Sequence, residues 1–284
     1  MNLNKLNKTK LLIFALIISL AIPLYQAVGG AWPQKKGTGY YKLDFRYMSS
    51  NKTYNSDGDK VWIPKLQDVT IGLFGSYGIT DKLTGFIGVA AFKSVKLDTV
   101  SSAVSFDTDV SGFGDINVGL KFGLGKIGKT VFSTKIIFGL PTGKSDPDSS
   151  LWLGSGDFNQ AVGVEIGHSF YPAPFYINGG VTYNNRSKGF SDEFGYAIEG
   201  GYKIIKNLTL IMRFHGQVSM NNGNQNVIGG LYTYENNQQF LAYSAELVYK
   251  VTKNFGVKGY YESGGKGKNI ISTPVISAGI FFTH

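Results

Sequence analysis

The chain has 284 residues, with 28 Lys and Arg against 19 Asp and Glu, for a formal charge of +9. It has no Cys, which excludes a disulfide framework, a thiolate metal site and a cysteine nucleophile. Basic and acidic residues are interspersed, so nucleic acid is not an expected partner, while 38 Gly, 17 Tyr and 20 Phe suit a glycine- and aromatic-rich β protein.

Residues 1–31 read as a cleaved signal peptide. Lys5, Lys8 and Lys10 supply a basic start, Leu11 to Ile22 an apolar run, and Ala27, Gly29, Gly30 and Ala31 small residues for cleavage. The run falls short of the ~20 apolar residues a spanning helix needs, and no Cys follows it for lipid attachment. Residues 32–284 are then one domain.

From Gly37 onward the apolar residues recur with period two, the spacing of a strand with unlike faces. Strand one sets Tyr41, Leu43, Phe45 and Tyr47 against Lys42, Asp44 and Arg46; strand two sets Val69, Ile71, Leu73 and Tyr77 against Thr70, Gly72, Phe74 and Ser76. The third, Leu83 to Lys93, carries Ala and Gly in both parities and shows no clear face. The fourth opposes Ile116, Val118, Leu120 and Phe122 to Asp115, Asn117 and Lys121, and the fifth opposes Phe132, Ile136 and Phe138 to Ser133 and Lys135. The sixth and seventh place Glu165 and then Tyr176, Asn178, Thr182 and Asn184 on their polar faces.

The eighth and ninth strands form a hairpin over 192–217, with Phe194, Tyr196, Ile198, Leu210, Met212 and Phe214 on one face. Glu193, Glu199, Lys203, Arg213, His215 and Gln217 occupy the other. The last three strands put Glu246 and Lys250, then Lys258, Tyr260 and Glu262, opposite Leu247, Tyr249, Val257 and Tyr261, and end on Ile276, Ile280 and Phe282. One turn recurs in related form, as Tyr77 to Leu83, Tyr202 to Leu208 and Tyr249 to Phe255. Such a ring of Tyr and Phe is favoured where water meets lipid headgroups.

Twelve strands result, although ten or fourteen also fit the pattern. Short connections near 80–81, 126–128, 172–174, 206–207 and 252–254 alternate with longer polar ones near 49–66, 94–113, 141–157, 185–191, 220–238 and 263–273. That alternation predicts an all-β fold: a single antiparallel up-and-down transmembrane β-barrel in the bacterial outer membrane, surrounded by lipid and lipopolysaccharide. Hydrocarbon cannot satisfy backbone polar groups, so the sheet must close, apolar face outward. The charged face then lines the lumen: Lys42, Asp44, Arg46, Asp115, Lys121, Lys135, Glu165, Glu199, Lys203, Arg213, Glu246, Lys250, Lys258 and Glu262. Phe74, Tyr176, Phe240, Tyr260, Phe281 and His215 share this inward parity.

Gly112 to Phe122, Phe138 to Lys144 and Leu153 to Asp157 contain the elements G-D-x-x-x-G-x-K and L-P-T-G…G-S-G. In these the sequence resembles the outer-membrane barrel family linked to the meta pathway of phenol degradation, distantly related to FadL-type channels for hydrophobic compounds. The resemblance implies carriage of small apolar or aromatic solutes. Only about six residues separate the leader from strand one, so the N-terminal hatch of FadL-type channels is expected to be absent. Any plug would come from interior side chains or from loop 141–157, whose Leu151-Trp152-Leu153 looks exposed and offers Trp152 as a contact residue.

The expected function is passive passage of small hydrophobic or aromatic molecules, with no cofactor and no enzymatic role. The alternative is a non-transporting structural or surface-binding barrel, in which the inward rings and charges only fill the lumen. A hydrolase would need a partner for His215, the one inward histidine, and no His-x-Ser motif is present. Asp57 and Asp59, Asp107 and Asp109, and Asp146 and Asp148 form Asp-x-Asp pairs without a complete ligand loop, and are expected to be solvated rather than metal-binding. Oligomeric state is not encoded in these patterns.

Overall fold

The computed structural model describes residues 30–98, 108–146 and 149–284. The leader expected over residues 1–31 lies outside them, apart from Gly30 and Ala31. The described residues form strands and connections and no helix: β1 (Gly39–Tyr54), β2 (Lys60–Gly78), β3 (Leu83–Leu97), β4 (Asp109–Gly112), β5 (Ile116–Ile127), β6 (Thr130–Leu140) and β7 (Asn159–Ser169). The remainder are β8 (Phe175–Arg186), β9 (Glu193–Ile205), β10 (Leu208–Ser219), β11 (Gln239–Lys250), β12 (Phe255–Lys268), β13 (Ile270–Ile271) and β14 (Val275–Thr283).

Twelve long strands pair antiparallel with their neighbours, and β1 pairs with β2 on one side and β14 on the other, closing the barrel. Closure leaves no unpaired edge in hydrocarbon. The two short strands are upper pieces of long ones. β4 continues the line of β5 along β3, and β13 continues that of β14 along β1.

Parity sets the facing. Val164 and Ile198 are 52% and 61% exposed, whereas Lys121 and Glu262 are fully buried, the inverse of a water-soluble barrel. Tyr77, Tyr202 and Tyr249 are exposed next to the short turns, where a headgroup-level belt belongs.

The ambiguous third strand has a physical cause. A bulge leaves Ala91 without a partner between the pairs Ile71↔Phe92 and Gly72↔Ala90, so the inward parity changes along β3. Thr84 and Phe86 are buried below the bulge and Lys93 and Val95 above it. The expected connection over 49–66 is also shorter than predicted. β1 and β2 run on to Tyr54 and Lys60, leaving a tip of residues 55–59, and β12 runs into the loop expected at 263–273.

Inward glycines make room for inward rings. Phe86 lies over Gly119, Tyr176 over Gly201 and Phe281 over Gly256, and a Cβ at any of the three would overlap the ring above it.

Candidate functional site

Inward parity on successive strands brings opposite charges into one line around the wall. Lys42 Nζ lies 2.7 Å from Asp44, and Asp44 meets Lys258 of β12 at 3.0 Å. Lys258 meets Glu246 of β11 at 3.1 Å, and Glu246 meets Arg213 of β10 at 2.7 Å. Arg213 also bonds Glu199 of β9, and Tyr176 of β8 ends the belt by donating to Glu199 at 2.6 Å. Signs alternate at every link from Lys42 to Glu199, which is how so many charges tolerate a largely desolvated wall.

Three smaller clusters follow the same rule. Glu165 is straddled by Lys121 and Lys135, each at 2.9 Å. Asp68 is straddled by Arg46 at 3.2 Å and Lys93 at 3.1 Å. Arg186 is held by Asp157 at 2.9 Å and Glu193 at 2.8 Å.

The wall encloses a cavity of about 770 Å³. Lys42, Asp44, Arg46, Asp115, Glu199, Arg213 and Glu246 border it, as do the rings of Phe74, Tyr176, Phe240 and Tyr260. Lys135, Glu165 and His215 border a smaller adjoining chamber instead, and Lys121 and Glu262 are buried in the wall. Lys203 departs from the expectation: it is exposed, as is Lys250, because both stand next to a turn where the strand ends overrun the inner surface.

Both mouths are occupied by the chain itself, one of them by residues ahead of β1, a source of plugging beyond the interior side chains and loop 141–157 that were expected. Residues ahead of β1 enter the lumen, since even a few extended residues reach ~3.3 Å each. Lys121 donates to the Gly30 carbonyl, the Ala31 amide donates to Asn178 Oδ1 at 2.7 Å, and the Gln34 amide donates to Thr84 Oγ1 at 2.8 Å. Trp32 packs edge-on to Tyr176, with centroids 5.5 Å apart.

At the other mouth the loop containing Trp152 folds inward, so Trp152 is not the exposed contact its sequence suggested. It is 3% exposed, and its indole N–H donates to the carbonyls of Asp146 and Ser149. Leu151 and Leu153 join Met48, Leu66, Val95 and Ile271 in an apolar core, a burial worth about 1.5–3 kcal/mol for each leucine. Loop 220–238 lies over this plug: the Leu231 amide donates to the Ser150 carbonyl at 2.8 Å, and Lys93 donates to Tyr234 Oη at 2.6 Å. Burial pushes the Tyr234 hydroxyl above its ordinary pKa, against the pull of the Lys93 ammonium.

Several of these residues escaped sequence reasoning. Lys93 was hidden by the bulge, and Asp68 stands one position before the expected start of strand two, at the parity of Phe74. Trp32 abuts the leader and carries no periodic signal. His215 Nε2 faces Glu262 at 3.4 Å, but no hydroxyl among the described residues hydrogen-bonds its ring, so the nucleophile–base contact of a hydrolase is not formed. Among the described residues no cluster suits a metal ion, and Asp107 and Asp148 of the Asp-x-Asp pairs lie outside them.

Residues 50–271 match the family described as "Putative MetA-pathway of phenol degradation". The chain belongs to this family. Its fold is similar to that of the COG4313 outer membrane channel from Pseudomonas putida F1, with a TM-score of 0.69 and 13% identity over 93% of this chain and 100% of that one. The translocator domain of the autotransporter NalP from Neisseria meningitidis matches at 0.51 and 9% identity, over 91% of this chain and 92% of that one. NanC porin matches at 0.50 and 11% identity, over 84% and 98%. At these identities the likeness is one of fold, that of a bacterial outer-membrane barrel. No curated protein matches the sequence.

The structure explains the spacing of the G-D, L-P-T-G and G-S-G elements in this chain. Asp115 of the G-D element accepts hydrogen bonds from the amides of Gly143, in L-P-T-G, and Ser155, in G-S-G, at 3.0 and 2.6 Å. Ser155 Oγ adds a third bond at 3.0 Å. Any side chain at Gly154 would overlap the Asp115 carboxylate. A single carboxylate thus ties both ends of the plug loop to the wall.

Proposed function

We propose that this barrel gives small hydrophobic or aromatic molecules passive passage across the outer membrane. The observation that carries the reading is the 770 Å³ cavity, in which the rings of Phe74, Tyr176, Phe240 and Tyr260 stand beside charges that already have partners in the wall. A space of this size suits one small ligand, and charges neutralised by fixed neighbours leave little to attract an ion. The likeness in fold to a protein described as an outer membrane channel, and the family's link to phenol degradation, support the same reading. Passage requires Trp32 and the Leu151–Leu153 plug to shift. Lipid and lipopolysaccharide surround the apolar wall, and the protein is read as non-enzymatic.

The second reading, a non-transporting barrel, draws on the occupation of both mouths. Uptake of phenols, aromatic acids and alkanes by cells lacking the protein, with and without complementation, separates the two. Slower entry of at least one aromatic solute in the deletion strain, restored by the gene, supports passage; equal entry for every solute sinks it.

A further inference from the structure

Beside the main cavity lies a chamber of about 80 Å³. The two share Glu199, Arg213, Gln217 and Phe240 as lining, so they adjoin. Two polar side chains that line the chamber, four residues apart in register, each keep an acceptor without a partner among the described residues. Asn184 is 2% exposed and spends both amide protons, on Asn159 Oδ1 at 2.9 Å and Glu193 Oε2 at 3.1 Å. This fixes its orientation and leaves Oδ1 as an acceptor without a partner among the described residues.

His215 is 4% exposed, and neither ring nitrogen has a hydrogen-bond partner among the described residues. Neutral imidazole carries one donor and one acceptor nitrogen, so the ring keeps an acceptor without a partner among the described residues. Buried acceptors of this kind are normally matched by a donor. The chamber's cations are already engaged: Arg213 by Glu199 and Glu246, and Lys135 by Glu165. An anionic group would have to displace those carboxylates, whereas a neutral O–H or N–H would not. Phe240, set edge-on to His215 with centroids 5.9 Å apart, stands where the two spaces adjoin.

We infer that the chamber at His215 binds the uncharged hydrogen-bond donor of an amphipathic solute, a hydroxyl or amino group, through the acceptor nitrogen of the imidazole, while the solute's aromatic ring lies in the main cavity against Phe240. The inference rests on the passage reading above and narrows it to rings that carry a neutral donor.

The test is equilibrium binding to the detergent-solubilised full-length protein, which does not depend on passage. Benzyl alcohol should bind at least tenfold more tightly than toluene. His215→Phe should reduce that preference while leaving toluene binding in place. In wild-type protein labelled with ¹⁵N-histidine, benzyl alcohol should shift the His215 ring nitrogens and toluene should not; a His215→Phe sample assigns the signals. Equal affinity for the two probes, a preference untouched by His215→Phe, or an unmoved His215 signal, as a chamber holding only water would give, overturns the site. Binding as described with no effect of the gene on uptake would instead overturn the passage reading and leave the site standing.

Discussion

Lys258 and Asp44 stand on strands that do not pair, yet their side chains meet at 3.0 Å over Gly279 of the intervening β14. Gly279 is opposite Asp44 on one side and Lys258 on the other, so its missing side chain is what lets the belt cross this strand. A Cβ there would overlap Asp44 Oδ1 and lie 3.2 Å from Lys258 Cε. Gly279→Val should therefore break the link and cost about 1–3 kcal/mol as an overpacked interior site. Urea unfolding in lipid vesicles measures it.

The outward face has a complementary sensitivity. Val164 lies mid-strand in β7, paired with Val181 and Thr134, and its side chain meets lipid. Val164→Arg should weaken folding by about 2–4 kcal/mol if the site is at the bilayer midplane, whereas Val164→Leu should be nearly neutral. Unchanged folding of the arginine variant in vesicles would contradict the facing.

The plug loop hangs on one carboxylate. Asp115→Ala removes the acceptor for Gly143 and Ser155 and leaves their amides unmatched, a loss of about 1–3 kcal/mol. The expected result is faster tryptic cleavage after Lys144, whose carbonyl is otherwise engaged by the Leu153 amide. Asp115→Asn, which keeps an acceptor, should fall between the two.

Trp32 predicts a conductance change. It lies against Tyr176, and a Cβ on Gly167 would come within 2.6 Å of its ring. Trp32→Gly should raise single-channel conductance in planar bilayers without affecting unfolding in urea by more than a surface substitution does.

Acid should loosen the outer loops at Asp192. Burial works to raise this carboxyl, but hydrogen bonds from Asn222, the Arg186 amide, Tyr183 and Asn185 outweigh it and hold the group below its ordinary value. A lowered folded-state pKa means stability that is fully present above the unfolded value of about 4 and is lost as pH falls through the folded one. Because the chain has no Cys, Asn226→Cys takes a single spin label on loop 220–238. Its mobility should rise as pH drops below about 4, and Asp192→Asn should remove that dependence.

The period-two alternation of Val, Ile, Leu and Tyr with Lys, Asp, Glu and Arg was enough to determine the strands, their outward face, the barrel and the rim of tyrosines, because facing along a strand is a local property of the pleat. The motif around Asp115 pointed to the family. Which charges pair was not legible: Lys258 finds Asp44, and Lys121 finds Glu165, across a strand that separates them, so the match depends on register and on a small residue such as Gly279 between them. The bulge at Ala91 concealed Lys93 for the same reason, since parity fails where pairing shifts. The closing of the mouths by Trp32 and by Leu151 and Leu153 belongs wholly to the tertiary structure. Aperiodic segments take their place from the surfaces they meet, and those surfaces exist only once the barrel has closed.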